Sequence, residues 1–536
     1  MGDSAGGRSQ RFFVVAFGVG SAAIFLFCLA AYLRTAGLLA HLPYEIDYGE
    51  GIVWQQMRMI IAGHGYGAID QFPAIVFHYP PLYHVSAALV SKLAGIDQLL
   101  AGRTLSVAST LIGGAIVAAI AGRVVRFESG RMAAWICGAW AGLIALSLPN
   151  VLMWAAFMRV DMLFVALSLG GFYFGIRALT EPKAVHFAAV LFVGAIFTKQ
   201  TAIAAPAAVF GTLLYLRPQT ALRGIVTTLV VSVIALIPVM VFSDGGFFRH
   251  IIMYNVNRIN IENGRRTFSV VKASWPYCAV VAWAIFARLS RVAATRPPAP
   301  GADLRASLNA NPGDASFLML RVYFVIATVM LLLVFKSGAS TNYYLEWQFL
   351  LGIYAGIAVF ETVFAGNELL KPLYRLAIVC AALAYVGWRS VTSYTLFDGY
   401  YDMIARQRGS MLRLESLVRD ADKPVISDNM VALLRGGKDV QWEPAIFAEL
   451  AHKGIWDERP FVAMIKARKF AFFVTSSCPG DKVLYDTRYN PEVSAAMMAA
   501  YPVQRALGEY HLHFPVGGLP AAAESMRTSG SCAPAK

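Results

Sequence analysis

The chain reads as an α-helical polytopic membrane protein with a small C-terminal α/β domain, and three observations predict this. Of its 536 residues 57% are hydrophobic and 15% charged, with a mean hydropathy of +0.56, too apolar for a water-soluble chain. Apolar runs recur at lengths near the ~20 residues that cross a bilayer. From Arg406 onward charge rises, and short strand-like runs alternate with helical ones.

The first apolar run follows MGDSAGGRSQR and ends near Leu33. It reads as a retained helix, because a signal-peptide core is shorter and is followed by a small-residue cleavage site. Further runs near 104–122, 131–149, 161–178, 185–198, 201–216, 225–242, 272–289, 318–335, 344–364 and 373–390 bring the expected count to about eleven transmembrane helices. PPLYHVSAALVSKLAG, at 80–95, is short for a crossing and reads as an interfacial or re-entrant helix. With the N-terminus inside, every inner connection is basic: Arg123, Arg126 and Arg131; Arg177 and Lys183; Arg217 and Arg223; Arg288, Arg291, Arg296 and Arg305; Lys371 and Arg375. The net charge of +14 therefore follows topology, and with no basic stripe interleaved with aromatics, no nucleic-acid partner is expected. Loop 290–317, rich in Pro, Ala, Gly and Asn, reads as disordered on the inner side.

On the outer face this leaves an acidic first loop (about 34–102), segments 243–271 and 336–343, and the tail. The chain divides into a transmembrane module, 1–394, and an extracytoplasmic domain, 395–536. From Arg406 onward about 130 residues are available, enough to fold independently. There PVIS (424–427) and KFAFFVTS (469–476) read as strands and EPAIFAELAHKG (443–454) as a helix. Cys28, Cys137, Cys278 and Cys380 lie in apolar runs as packing residues, while Cys478 and Cys532 share the outer domain, where an oxidising compartment would permit them to pair.

Chemistry concentrates on the same face. LPYEIDYGEGIVWQQ (42–56) holds Glu45, Asp47 and Glu50, and Asp47 and Glu50 would share a face if a helix starts there. Asp161, in FMRVDMLFVALS, stands at the outer end of a span, where an acid is costly and marks function. Brought together in a cleft, such acids could deprotonate a hydroxyl or hold a divalent metal ion, with Asp47 and Asp161 as its ligands. Lys199, in FTKQTAI, and Arg249, Arg258, Arg265 and Arg266, in one outer loop, oppose the topological charge rule and suit a phosphate at the membrane surface. The blander readings are solvated carboxylates and contacts with membrane lipid headgroups.

The order of an acidic loop, HYPPLYH (78–84), RVD (159–161), TKQT (198–201), NVNR (255–258), STNYYLEW (340–347) and an outer C-terminal domain resembles the GT-C superfamily of integral-membrane glycosyltransferases. Within it the chain looks nearest the protein O-mannosyltransferase and lipid A aminoarabinose transferase branch. The resemblance implies a hexosyl or pentosyl transferase of a bacterial inner membrane, working at the outer leaflet. Its donor would be a polyprenyl-phosphate sugar, its acceptor a glycan, lipid or protein, and its mechanism general-base or metal-assisted, with inversion and no nucleotide cofactor. Carried over by position, Asp47 or Glu50 acts on the acceptor hydroxyl, Asp161 is the second acid, Lys199 and Arg258 bind the donor phosphate, and His78, Tyr79, Tyr344 and Glu346 line the substrate pocket. Where the aminoarabinose branch places a Lys before its Pro motif, this chain has His78 and Tyr79. The absence of a GxGxxG or P-loop pattern agrees with a lipid-borne donor. A secondary transporter and a non-catalytic scaffold for envelope assembly are the rival readings; the former would more often show paired helix breaks and would not need a large outer domain.

The topology is open to test by cysteine accessibility: Ser307→Cys should be shielded from an impermeant thiol reagent applied outside and Ser410→Cys labelled, and labelling of Ser307→Cys from outside would contradict the arrangement.

Overall fold

The computed structural model describes residues 3–528 except 256, 296–302, 366–371, 480 and 484–485. Cys532, the expected partner of Cys478, lies outside the described residues, as does the 366–371 connection with its Lys371.

Six helical segments among the described residues are long and apolar enough to cross a membrane: Gly18–Ala40, Gln98–Arg126, Pro218–Phe242, Ser269–Thr295, Pro312–Phe335 and Thr341–Phe364. The chain is an integral membrane protein, but the expected count of about eleven is not met. Three further apolar runs form the shorter helices Arg131–Leu146, Ala184–Ile196 and Ala204–Leu216. A fourth forms the 17-residue helix Asp161–Arg177. At 1.5 Å per residue, 13 residues reach only about 20 Å of a roughly 30 Å hydrocarbon core. Breaks at Pro149, at Asp161 and around Lys199 cut these helices short, and each break delivers polar side chains or loop backbone to one end of the bundle.

The bundle is built around Leu345–Val359, in which every residue from Leu345 to Ala358 is buried, as expected for a helix apolar on all sides. It lies against Arg131–Leu146 at glycine distance: a Cβ on Gly356 would stand 2.4 Å from the Cys137 carbonyl oxygen, and one on Gly352 2.7 Å from that of Ala141. Pro218–Phe242 is the opposite case, exposing Leu229, Val233, Ile237 and Val241 to the lipid. Segment 82–94 forms a 13-residue helix that buries Tyr83, His84 and Ala87 and exposes Val85, Leu89 and Leu93 along one stripe. The expected disorder of 290–317 is corrected where the chain is described. Helices Leu304–Ala310 and Pro312–Met330 occupy 304–330, the first started by the Asp303 carboxylate accepting the Arg305 N–H at 2.9 Å and the second by proline in its first turn.

The C-terminal part is a mixed four-stranded sheet ordered Ile426–Ser427, Phe473–Thr475, Tyr510–Phe514, Val503–Leu507, with the first pair parallel and the others antiparallel. The two predicted strand runs supply its first two members, and the predicted helix is Pro444–His452. One cluster of buried side chains centres on Trp442, stacked on Phe461 at 4.4 Å, and takes in Ile69, Ala74 and Val76 of the acidic loop, while Phe472, Val474, Leu512 and Phe514 join the main core of the bundle. The helix Pro372–Arg406 runs unbroken across the expected division at 394/395, so the sheet domain follows on from a helix that begins well before it. The domain also grips the segment between the first helix and Gln98–Arg126: Ala74 N–H donates to the Gln441 carbonyl at 2.9 Å, and Arg435 forks onto Asp97 at 2.8 and 2.9 Å.

Gly356→Val should lower the thermal midpoint of the detergent-solubilised protein by the equivalent of about 1–3 kcal/mol, the usual cost of forcing atoms into a packed core. Gly387→Ala, where the nearest atom would be 3.7 Å away, should leave it unchanged.

Candidate active site

The chain leaves its first helix at Ala40 and re-enters helix at Gly49–Ile61; the eight residues between carry Glu45 and Asp47, and Glu50 stands in the first turn of the second helix. Asp47 Oδ2 accepts the N–H of Gly49 at 3.0 Å, and its carbonyl accepts that of Glu50 at 2.9 Å, so the aspartate is fixed against the start of the helix. Glu50, the next acid on that face, points the other way. It is wholly buried and fully engaged: Arg103 donates Nε to Oε1 at 2.8 Å and Nη2 to Oε2 at 2.6 Å, while the N–H groups of Met158 and Ile46 complete the two oxygens at 2.8 and 2.9 Å. Glu45 turns to the sheet domain, accepting the N–H of Val431 at 3.2 Å. Asp47 keeps partial exposure, at 22% of its side chain, and Glu45 too is half-buried.

A chain of alternating charge starts there. Arg159 Nη1 donates to Asp47 Oδ2 at 2.9 Å, and its Nε stands 3.9 Å from Asp161 Oδ2. Asp161 Oδ1 accepts Lys199 Nζ at 2.7 Å and Asn342 Nδ2 at 2.8 Å. Lys199 is buried, its ammonium 4.6 Å from the Tyr343 ring and 5.0 Å from that of Phe164. The breaks in the short helices make this possible, because Arg159 and Lys199 both sit on non-helical turns and Asp161 opens a helix.

Lys199 then lines a cavity of about 90 Å³ together with His78, Tyr79, Gln200, Asn257, Lys336 and Tyr343. The lining holds two lysines and no carboxylate. Lys336 Nζ donates to Asn255 Oδ1 at 2.6 Å. Gln200 and Asn257 each leave a buried amide oxygen without a hydrogen-bond partner. Burial lowers the Lys336 ammonium to a pKa of about 8, with the Lys199 charge acting in the same direction. His78 falls to about 3, again through burial first and then through Lys336 and Arg159, so it is neutral at physiological pH. The Asp47 carboxyl moves the other way: burial raises it above the ordinary value despite the opposing pull of Arg159.

The structure thus brings together Asp47, Asp161, Lys199, His78 and Tyr79. Others of the expected residues lie elsewhere. Glu50 is consumed by Arg103. Arg258 is held in a two-point pair with Glu449 of the sheet domain, at 3.0 Å for each contact, which leaves its guanidinium docking the domain rather than facing the cavity. Tyr344 turns to Thr267, at 3.4 Å, and Glu346 accepts the Tyr323 hydroxyl at 2.6 Å inside the bundle; the neighbouring Tyr343 is the one that lines the cavity. Asp47 and Asp161 do not fit a shared divalent ion, because the Arg159 guanidinium already stands between them and Lys199 holds the second carboxylate. No cluster of three or more His, Cys, Asp or Glu side chains suited to a metal occurs among the described residues. Sequence reasoning quoted Arg159 and Asn257 within their motifs without assigning them, and passed over Lys336. The available signal was that both Arg159 and Lys336 stand at breaks on the face expected to be outer, where a cation has no topological reason to be.

No protein-family profile and no curated protein sequence matches the chain. Solved structures do. ArnT from Cupriavidus metallidurans bound to undecaprenyl phosphate superposes with a TM-score of 0.58 at 15% identity, over 94% of this chain and 99% of that one. The chain has a GT-C-like fold. The same ArnT in its apo state gives 0.56 at 14% identity, over 95% and 99% of the two chains. The apo Archaeoglobus fulgidus oligosaccharyltransferase gives 0.48 at 10% identity, over 85% and 69%. In this GT-C-like bundle the loop acids, the RVD turn and the TKQT turn converge at one end, beneath the sheet domain.

The two loop acids should separate by stability. Glu50→Gln leaves Arg103 uncompensated in a dry site and should cost roughly 3–5 kcal/mol, read as loss of monodisperse protein in size-exclusion chromatography. Asp47→Asn keeps a polar partner for Arg159 at a partly exposed position and should elute like the parent.

Proposed function

We propose that the chain is a membrane glycosyltransferase that moves a sugar from a polyprenyl-phosphate carrier to a hydroxyl of an envelope glycan, lipid or protein. The observation that carries this reading is the charge chain Asp47–Arg159–Asp161–Lys199 ending in a cavity lined by two lysines and no carboxylate. Within the chain the charges cancel in pairs, so Lys336 is left as excess positive charge facing the cavity, which suits an anionic leaving group. The likeness to ArnT, solved with undecaprenyl phosphate, supports a polyprenyl phosphate as that group. The unpartnered amide oxygens of Gln200 and Asn257 suit the hydroxyls of a sugar.

The chemistry follows from placement. Asp47 takes the acceptor proton as the acceptor oxygen bonds to the anomeric carbon; the bond from that carbon to the phosphate oxygen breaks on the opposite side, inverting the centre. The polyprenyl phosphate leaves as an anion held by Lys199 and Lys336. A raised pKa makes Asp47 a stronger base than an ordinary carboxylate. Arg159 holds Asp47 in place, and Asp161 holds Lys199, so both act as positioning residues. This reading sets the site and the sheet domain on the outer face, with the N-terminus inside and a working division into 1–394 and 395–536, in a bacterial inner membrane. Mass analysis of envelope glycans and glycolipids with and without the chain would name the acceptor and the sugar.

Two outcomes are expected in a transfer assay in nanodiscs with an extracted polyprenyl-phosphate sugar. Asp47→Asn should lower turnover by about 10²- to 10⁴-fold, the usual share of a general base. Activity at subsaturating donor should fall as pH rises through about 8, where Lys336 loses its proton, and Lys336→Arg should remove that dependence because a guanidinium stays charged. Stability takes the opposite sign. With its folded pKa below the unfolded value, Lys336 binds fewer protons when folded, so stability rises as pH passes from about 8 towards the ordinary lysine range. Parental turnover in Asp47→Asn would remove the assignment.

A further inference from the structure

We propose that an anionic glycerophospholipid binds in an apolar groove at the end of the bundle opposite the candidate site. The groove has a volume of about 690 Å³ and runs between Gln98–Arg126 and Arg131–Leu146, walled by Phe25 and Leu29 of the first helix and by Tyr173. Its floor is the line where the two helices meet, and they meet closely: a Cβ on Gly138 would stand 2.6 Å from the Ala118 carbonyl oxygen, and one on Gly122 3.0 Å from that of Ala134. Close backbones leave a channel above them that the small exposed side chains of Ala115, Ala119 and Ala139 do not fill. From Leu111 to Arg126 it extends over roughly 22 Å at 1.5 Å per residue, longer than the half-thickness of about 15 Å that one leaflet's acyl chain spans.

The mouth identifies the occupant. Arg123, Arg126 and Arg131 line the same groove at one end, with Trp135 exposed beside them. Arg123 is already engaged, donating to the Thr180 hydroxyl at 3.2 Å and paired with Glu181 at 3.4 Å. Arg126 and Arg131 are exposed and have no ion-pair partner among the described residues. Two unpaired guanidiniums at the rim of an acyl-sized channel complement a phosphate at the level of the headgroups, and the aromatic ring suits the same depth. A neutral lipid would satisfy the channel and leave the arginines idle. The site is separate from the charge chain, so it stands whether or not the chain is a glycosyltransferase.

The test is native mass spectrometry of delipidated, detergent-solubilised full-length protein titrated with phosphatidylglycerol or phosphatidylcholine of the same acyl chains. The parent should hold phosphatidylglycerol about tenfold more tightly, on the scale of one to two charge contacts at a membrane surface. Arg126→Gln with Arg131→Gln should abolish that preference, while Arg223→Gln with Arg305→Gln, which removes two exposed arginines outside the groove, should keep it. Ala119→Phe, which fills the channel from an exposed position, should weaken both lipids. All four substituted arginines are exposed, so folding is not at stake. The proposal is overturned if the Arg126/Arg131 variant keeps the parental preference, if the control pair loses it equally, or if Ala119→Phe binds both lipids as the parent does.

Discussion

The site depends on one buried ion pair. Glu50 and Arg103 are both fully inaccessible, and removing two such charges from water is costly unless every remaining lone pair and proton is met. Here they are met. Beyond its two contacts to Glu50, Arg103 donates to the carbonyls of Leu42 and Tyr44, and Glu50 accepts backbone N–H groups from Ile46 and Met158. The pair thereby ties three separate pieces of chain: the acidic loop after the first helix, the long helix Gln98–Arg126, and the turn that carries Arg159. Asp47 lies one residue beyond Ile46, and Arg159 one beyond Met158. Their 2.9 Å contact is therefore set by a neighbouring interaction that takes no part in the chemistry.

That arrangement explains why the acids need no metal to sit together. Two carboxylates in a dry cleft repel, and one would take up a proton unless cations intervene. Arg159 and Lys199 intervene, one between the acids and one beyond the second, so negative charge is balanced locally and the cavity sees mainly lysine. Excess positive charge then rests on Lys336, whose pKa is depressed first by its burial and then by the Lys199 ammonium, in a cavity whose lining holds no carboxylate. The sheet domain closes the same region by its own contacts, Arg258 with Glu449 and Tyr48 with Glu443, the latter at 3.1 Å. A residue such as Arg258 thus serves the site by holding the roof.

Much of this was legible in the sequence. The apolar spans, the short helix at 82–94, the strands at 426–427 and 473–475 and the helix at 444–452 follow from periodicity and from punctuation by proline and glycine. The number of full-length crossings was not, because hydropathy registers an apolar run without registering the turn that cuts it short at Asp161 or Lys199. Within the candidate site, Asp161 and Lys199 were recognisable as charges placed where lipid or topology disfavours them, and Asp47 only as one of three acids in a short loop. Which of Asp47 and Glu50 is buried against Arg103 depends on a residue some fifty positions away on another helix, and no local pattern contains that. Arg258 looked like a phosphate ligand for a similar reason: its partner Glu449 lies in the distant sheet domain. Tyr343 and Tyr344 differ only in the direction a 3₁₀ turn gives them.

In the proposed reaction donor recognition and proton removal belong to different groups, the phosphate to Lys199 and Lys336 of the cavity and the proton to Asp47 at the far end of the charge chain. Binding of polyprenyl phosphate, the leaving group alone, tests it most directly, measured by calorimetry on nanodisc-embedded parent, Lys199→Gln, Lys336→Gln and Asp47→Asn. The account predicts that each lysine variant weakens binding by about ten- to a hundredfold, the scale of a charge-assisted contact, while Asp47→Asn binds as the parent does or slightly better. Parental affinity in both lysine variants, or loss of binding in Asp47→Asn equal to theirs, would contradict it.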